Sequence, residues 1–324
     1  MAQARELVLP PQAVGTYHVL SRCTRGDFLL GGKYEHRRAW VAGLLAELLD
    51  GFAIDLHGFA IMSNHVHLVL RPRPDLASSW SPRQVASRGL AQIPVRSGNG
   101  LVPLPVTRTL TERYADNKKW VADHRDRLSS LTWLMKLLKQ RIARRANAED
   151  GCRGHFWESR FLSVPLLDYG AVLGCMAYVD RNPLRAKMVT SPAAAVFTSI
   201  AHRLSAAGKG RPAHYFCDED RQLGAHLIPL AQCRPVEPLT GERLRSPVTL
   251  DDYCQLIVPG KNRTDLQRVC EHLGINHAAW QDAQTTGGRF QGVAIGNRAA
   301  RAAFAKTQGK QIIADKTGVW SDEE

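Results

Sequence analysis

The sequence predicts an α+β fold, and three observations carry the expectation. Apolar runs with period-2 alternation at 14–23, 52–60 and 61–71 read as strands. Runs with 3.6-residue spacing at 38–49, 131–142 and 168–187 read as helices. A helix falls between the first two strands, an order that favours a sheet-and-helix sandwich over a helical bundle.

The first strand, Val14 to Cys23, alternates so that Tyr17, Val19 and Ser21 share one face and His18 and Leu20 the other. After Gly31 to Lys33 break the chain, Trp40, Leu44, Leu45, Leu48 and Leu49 mark the first helix. Phe52 to Ala60 and Ile61 to Arg71 follow as the second and third strands, with the turn Met62-Ser63-Asn64 between them making them neighbours. Residues 71–115, with prolines at 72, 74, 82, 94, 103 and 105, read as a long irregular insertion.

From Ser130, Leu131, Leu134, Met135, Leu138 and Ile142 form one helical stripe. Asp168 is a candidate N-cap for a helix to Lys187, with Val172, Leu173, Met176 and Val179 as its apolar stripe and Pro183 ending or kinking it. Beyond about residue 205 the pattern weakens into a mostly helical C-terminal extension: Leu250 to Ile257, Arg263 to Leu273, His277 to Ala283 and Asn297 to Ala305.

Composition narrows the partners. The chain has 324 residues and a formal net charge of +13, which favours a polyanion, nucleic acid before an anionic membrane. No apolar run is long enough for a membrane span, and Met1 to Glu6 lacks a signal-peptide core. Seven scattered cysteines without a Cys-x-x-Cys pair read as reduced thiols of a cytoplasmic protein, and argue against a structural zinc site. Charge concentrates between 117 and 160, where 11 Lys and Arg stand against 5 Asp and Glu. Lys136, Lys139, Arg144 and Arg145 there are candidate phosphate contacts; a solvated helix face gives the same count.

The chemistry centres on Ser63-Asn64-His65-Val66-His67-Leu68-Val69-Leu70. On a strand, His65 and His67 project from one face, a half-site for a divalent metal. Tyr178 and Asn182, four apart on a helix, share one face. If that face meets the histidines, Asn182 supplies a third, oxygen ligand and Tyr178 lies beside the ion, a donor set that suits Mg²⁺ or Mn²⁺. A phenol with a pKa near 10 is a weak nucleophile, and a cation on a scissile phosphate compensates for that. Tyr178 as a buried core residue is the competing reading. Trp157, Arg160 and Phe161 could hold an unpaired base, or Trp157 and Phe161 pack in the core with Arg160 paired to an acid such as Asp168. Arg181 and Arg185 could hold phosphates or complement the helix dipole. Lys261, Arg263 and Arg268 likewise suit DNA or solvent, and Gly208-x-Gly210 lacks the context of a phosphate loop.

Three blocks together resemble the single-tyrosine HUH (His-hydrophobic-His) transposases, and among them the REP-associated tyrosine transposases: Gly58 to Leu70, Gly154 to Phe161 and Ala177 to Ala186, within residues 12–205. The resemblance implies an RRM-like antiparallel sheet with helices on one face, residues 1–205 as the catalytic domain and 206–324 as an extension of unassigned role. It implies His65, His67 and Asn182 as metal ligands and Tyr178 as the nucleophile. The activity implied is cleavage and rejoining of single-stranded hairpin DNA at REP-like palindromes through a 5′-phosphotyrosine, by a bacterial, nucleoid-associated cytoplasmic protein. Monomer and homodimer are both open, and a domesticated nucleic-acid-binding regulator without turnover is the alternative.

Overall fold

The computed structural model describes residues 15–96, 103–233, 247–258, 263–286 and 294–307. Four strands, β1 (Thr16–Arg22), β2 (Ile54–Ile61), β3 (His65–Pro72) and β4 (Leu162–Leu166), form one antiparallel sheet in the order β2-β3-β1-β4. Helix α1 (Arg37–Gly51) connects β1 to β2. Three helices, α2 (Pro74–Ser79), α3 (Pro82–Gln92) and α4 (Arg108–Ala115), follow β3. Then come α5 (Lys118–Leu128) and α6 (Leu131–Glu149), which leads to β4. With α1 and α6 as the two crossovers, the core is a βαββαβ unit.

Those two helices share one face of the sheet, as expected. Tyr17, Val19, Val66, Leu68 and Leu70 from the sheet bury against Val41, Leu45 and Leu48 of α1 and Leu131, Leu134, Leu138 and Ile142 of α6. The other face is covered too, the condition on which the sequence reading makes its metal site depend. Helix α7 (Tyr169–Arg185) lies there, packing Val172, Leu173, Met176 and Val179 on Ala60, Val69, Val164 and Leu166. Strand β3 is buried on both sides although only one of its faces is apolar throughout: Val66, Leu68 and Leu70 point one way, His65, His67, Val69 and Arg71 the other.

Residues 71–115 need correction. They are helical over most of their described length, because Pro74 and Pro82 stand at helix starts, where a missing N–H costs nothing. Ser81 and Gln84 close a capping box on α3. Residues 97–102 of the stretch lie outside the described residues, as does Val14 of the first strand.

Beyond α7 come α8 (Ser199–Ala206), α9 (Asp218–Ala225), α10 (Leu250–Ile257), α11 (Arg263–Leu273), α12 (His277–Thr286) and α13 (Arg298–Thr307). Tyr253, Leu256, Val269, Cys270 and Trp280 join the apolar cluster beneath α7. All seven cysteines are free thiols. Among the described residues no helix is long and apolar enough to cross a membrane.

Candidate active site

The site is built on one face of the sheet. Register pairs Leu20 with His67 and Arg22 with His65, so His18, Leu20 and Arg22 of β1 share a face with His65, His67 and Val69 of β3. On the far side of β3, Ala60 pairs with His67 and Gly58 with Val69. Small residues there let α7 come close: a Cβ at Gly58 would stand 3.5 Å from Met176 Cγ and 3.2 Å from Ser199 Oγ.

Helix α7 brings Tyr178 to the histidines. Its ring centroid lies 5.8 Å from that of His67 and 6.1 Å from that of His18, edge-on to both. The His65 and His67 rings are 4.8 Å apart and nearly perpendicular. Asn182 sits one turn beyond Tyr178 and is buried. Asp168 caps α7 as expected, accepting from Ala171 N at 2.7 Å.

Pro183 lies within the last turn of the helix, two residues before its end, and Asn182 stands in that turn as the sequence reading expected. A residue with an N–H there would bond the Val179 carbonyl, and proline cannot. The Asn182 side chain makes up part of the loss, its Nδ2 donating to Tyr178 O at 2.9 Å and Val179 O at 3.4 Å. That leaves the lone pairs of Asn182 Oδ1 for another partner, the atom a cation would require.

Hydrogen bonds also orient the imidazoles. Asn64 Nδ2 donates to Gly26 O at 3.0 Å, which turns its oxygen towards His65 Nδ1 at 2.6 Å. His65 is then protonated at Nδ1 and presents a lone pair at Nε2, the ligating form of a neutral histidine. His67 Nδ1 lies 2.9 Å from His18 Nε2. Burial, then the charges of Arg22 and Arg185, depress His65 to about 4, and burial drives His67 well below its ordinary value. Both rings are therefore neutral at pH 7 and fit a divalent ion. Among the described residues no three His, Cys, Asp or Glu side chains are grouped to hold one. The donors on this face are two imidazoles, with the Asn182 amide on the facing helix.

Tyr178 has its pKa raised by burial; Arg185, hydrogen-bonded to it and 5.5 Å from its ring centroid, pulls the other way. Arg181, half-buried, lies one turn before Arg185.

The remaining predicted contacts do not gather here. Helix α6, with Lys136, Lys139, Arg144 and Arg145, packs on the opposite face of the sheet. Arg145 stacks on Trp40 at 3.9 Å, and Arg144 is exposed. Lys136, Lys139 and Arg160 line a groove of about 640 Å³ between α6 and residues 154–161. Trp157 is a core residue, not an open stacking platform: it is 8% exposed and its indole donates to Lys139 O at 3.0 Å. Phe161 is buried with it. The second oxygen of Asp168 accepts from Asn297 N at 2.6 Å. Arg268 pairs with Asp252, and Lys261 lies outside the described residues.

Sequence reasoning missed His18 and Arg22 as site residues. The alternation in β1 had put His18 on a defined face; only the strand register puts that face with the histidine pair.

No protein-family model and no curated protein matches the chain. A solved structure of a REP-associated tyrosine transposase bound to a REP hairpin is similar over 65% of this chain and 89% of that one, with 12% identity and a TM-score of 0.37. Neither the site nor its function rests on that likeness.

Proposed function

We propose that the chain is a metal-dependent strand transferase acting on single-stranded hairpin DNA, with Tyr178 as nucleophile. The observation that carries this reading is the meeting of Tyr178 with the neutral His65–His67 pair, 5.8 Å ring to ring at His67, on a face rimmed by Arg22 and Arg185. A phenol beside two ligating imidazoles and two guanidiniums is an arrangement for phosphoryl chemistry. The three sequence blocks that resemble single-tyrosine HUH transposases support the same roles. Residues 1–205 carry the chemistry, and 206–324 extend it.

His65, His67 and Asn182 would hold Mg²⁺ or Mn²⁺, which would supply charge neutralisation on the scissile phosphate. The Tyr178 oxygen forms a bond to phosphorus as the bond to the 3′-oxygen breaks. The products are a 5′-phosphotyrosine and a free 3′-hydroxyl, which takes up a proton in exchange for the one that Tyr178 loses. Reversal, with a new 3′-hydroxyl attacking, rejoins the strand and restores the phenol. Arg185 favours the phenolate-like oxygen as the proton leaves.

Denaturing electrophoresis after incubation with labelled hairpin DNA and Mn²⁺ tests the reading. A covalently shifted band from wild type and none from Tyr178→Phe is expected. Cleavage without a shifted band assigns a hydrolase instead, and binding alone assigns a regulator.

A further inference from the structure

We propose that His18 is a positioning residue for the metal half-site: it accepts the Nδ1 proton of His67 and so fixes the tautomer and ring orientation that present His67 Nε2 to a divalent cation. This rests on the reading of His65 and His67 as ligands.

The geometry starts from strand register. His67 stands opposite Leu20, so His18, two residues back along β1, is its diagonal neighbour on the same face. The two rings stack with centroids 5.1 Å apart and an interplanar angle of 14°, and His18 Nε2 lies 2.9 Å from His67 Nδ1. Both residues are 3% exposed.

Between two ring nitrogens 2.9 Å apart only one proton fits, so one ring donates and the other accepts. If His67 donates, its Nε2 carries a lone pair and can ligate. If His18 donates, His67 Nε2 carries the hydrogen, and the half-site is reduced to His65. The first arrangement matches the neighbouring ring, where the Asn64 oxygen can only accept and His65 must donate from Nδ1. Both ligands are thus oriented alike, each through Nδ1, one by an amide oxygen and the other by a third histidine. His18 also stands edge-on to Tyr178, so the ring that orients the ligand also walls the nucleophile. Its place on a central strand, paired on both sides, keeps it fixed while substrate comes and goes.

The test uses the full chain without DNA. Calorimetric titration with Mn²⁺ is expected to show wild type binding, His18→Phe binding ten- to hundredfold more weakly, and His18→Gln, which restores an accepting oxygen, recovering most of the loss. Nitrogen-15 spectra of histidine-labelled wild type are expected to show His67 protonated at Nδ1, a readout that needs no variant to fold. Unchanged Mn²⁺ affinity in a folded His18→Phe protein, or His67 protonated at Nε2, overturns the proposal. A wild type that binds no Mn²⁺, or a His65→Ala variant that binds it as wild type does, overturns the metal reading beneath it. The arms therefore separate the two failures.

Discussion

Tyr253 donates its hydroxyl to Asp180 at 2.6 Å, joining the C-terminal helix α10 to the helix that carries Tyr178. Asp180 is fully buried, and its other oxygen accepts from Ser199 Oγ at 2.6 Å and Ile200 N at 2.9 Å. It lies two residues from both Tyr178 and Asn182, on the opposite side of the helix from them. Burial holds the Asp180 carboxyl above its ordinary value, and these hydrogen bonds offset only part of that rise.

Tyr253→Phe removes one of those donors and leaves a carboxylate oxygen buried without it. A loss of about 1–3 kcal/mol in stability is expected, read as a lower urea midpoint. An unchanged midpoint would mean that the C-terminal helices do not brace α7 through this bond.

His57 gives a pH-dependent prediction. Its ring is completely buried, and among the described residues neither nitrogen has a hydrogen-bond partner. Burial, then Arg71 and Arg203, drive its pKa well below 6.5. The unfolded chain therefore takes up a proton near pH 6.5 that the folded one refuses, and stability falls as pH drops below that value. His57→Leu is expected to gain about 1 kcal/mol at pH 7, with the gain growing towards pH 5. Urea unfolding at both pH values checks it; a gain that does not grow on acidification would contradict it.

Arg185→Gln removes the cation that offsets the burial of Tyr178. The rate of covalent adduct formation at pH 7 is expected to fall at least about tenfold, and its pH profile to move to higher pH. Hairpin binding with an unshifted profile would reduce Arg185 to a phosphate contact.

Much of the fold was legible because burial imposes period: the alternation in β1 and the stripes of α1, α6 and α7 are direct consequences of where water is excluded. Residues 71–115 misled because prolines that start helices look the same in sequence as prolines that break them, and only the Ser81–Gln84 box distinguished the two. That His65 and His67 share a strand face, and Tyr178 and Asn182 a helix face, could be read from local spacing. His18 could not, because its meeting with His67 depends on a register spanning 49 residues. Tyr253 was hidden for the same reason, 73 residues from its partner. The basic stripe of α6 was counted correctly but lies on the far face of the sheet, a placement that composition does not carry.

The most direct measurement of the central claim is peptide mapping of the protein after reaction with a hairpin oligonucleotide in Mn²⁺. Digestion of protein and DNA followed by mass spectrometry is expected to find the peptide containing Tyr178, and no other, bearing a nucleotide through its 5′-phosphate. An adduct on a different residue, or cleaved DNA with every peptide unmodified, would contradict it.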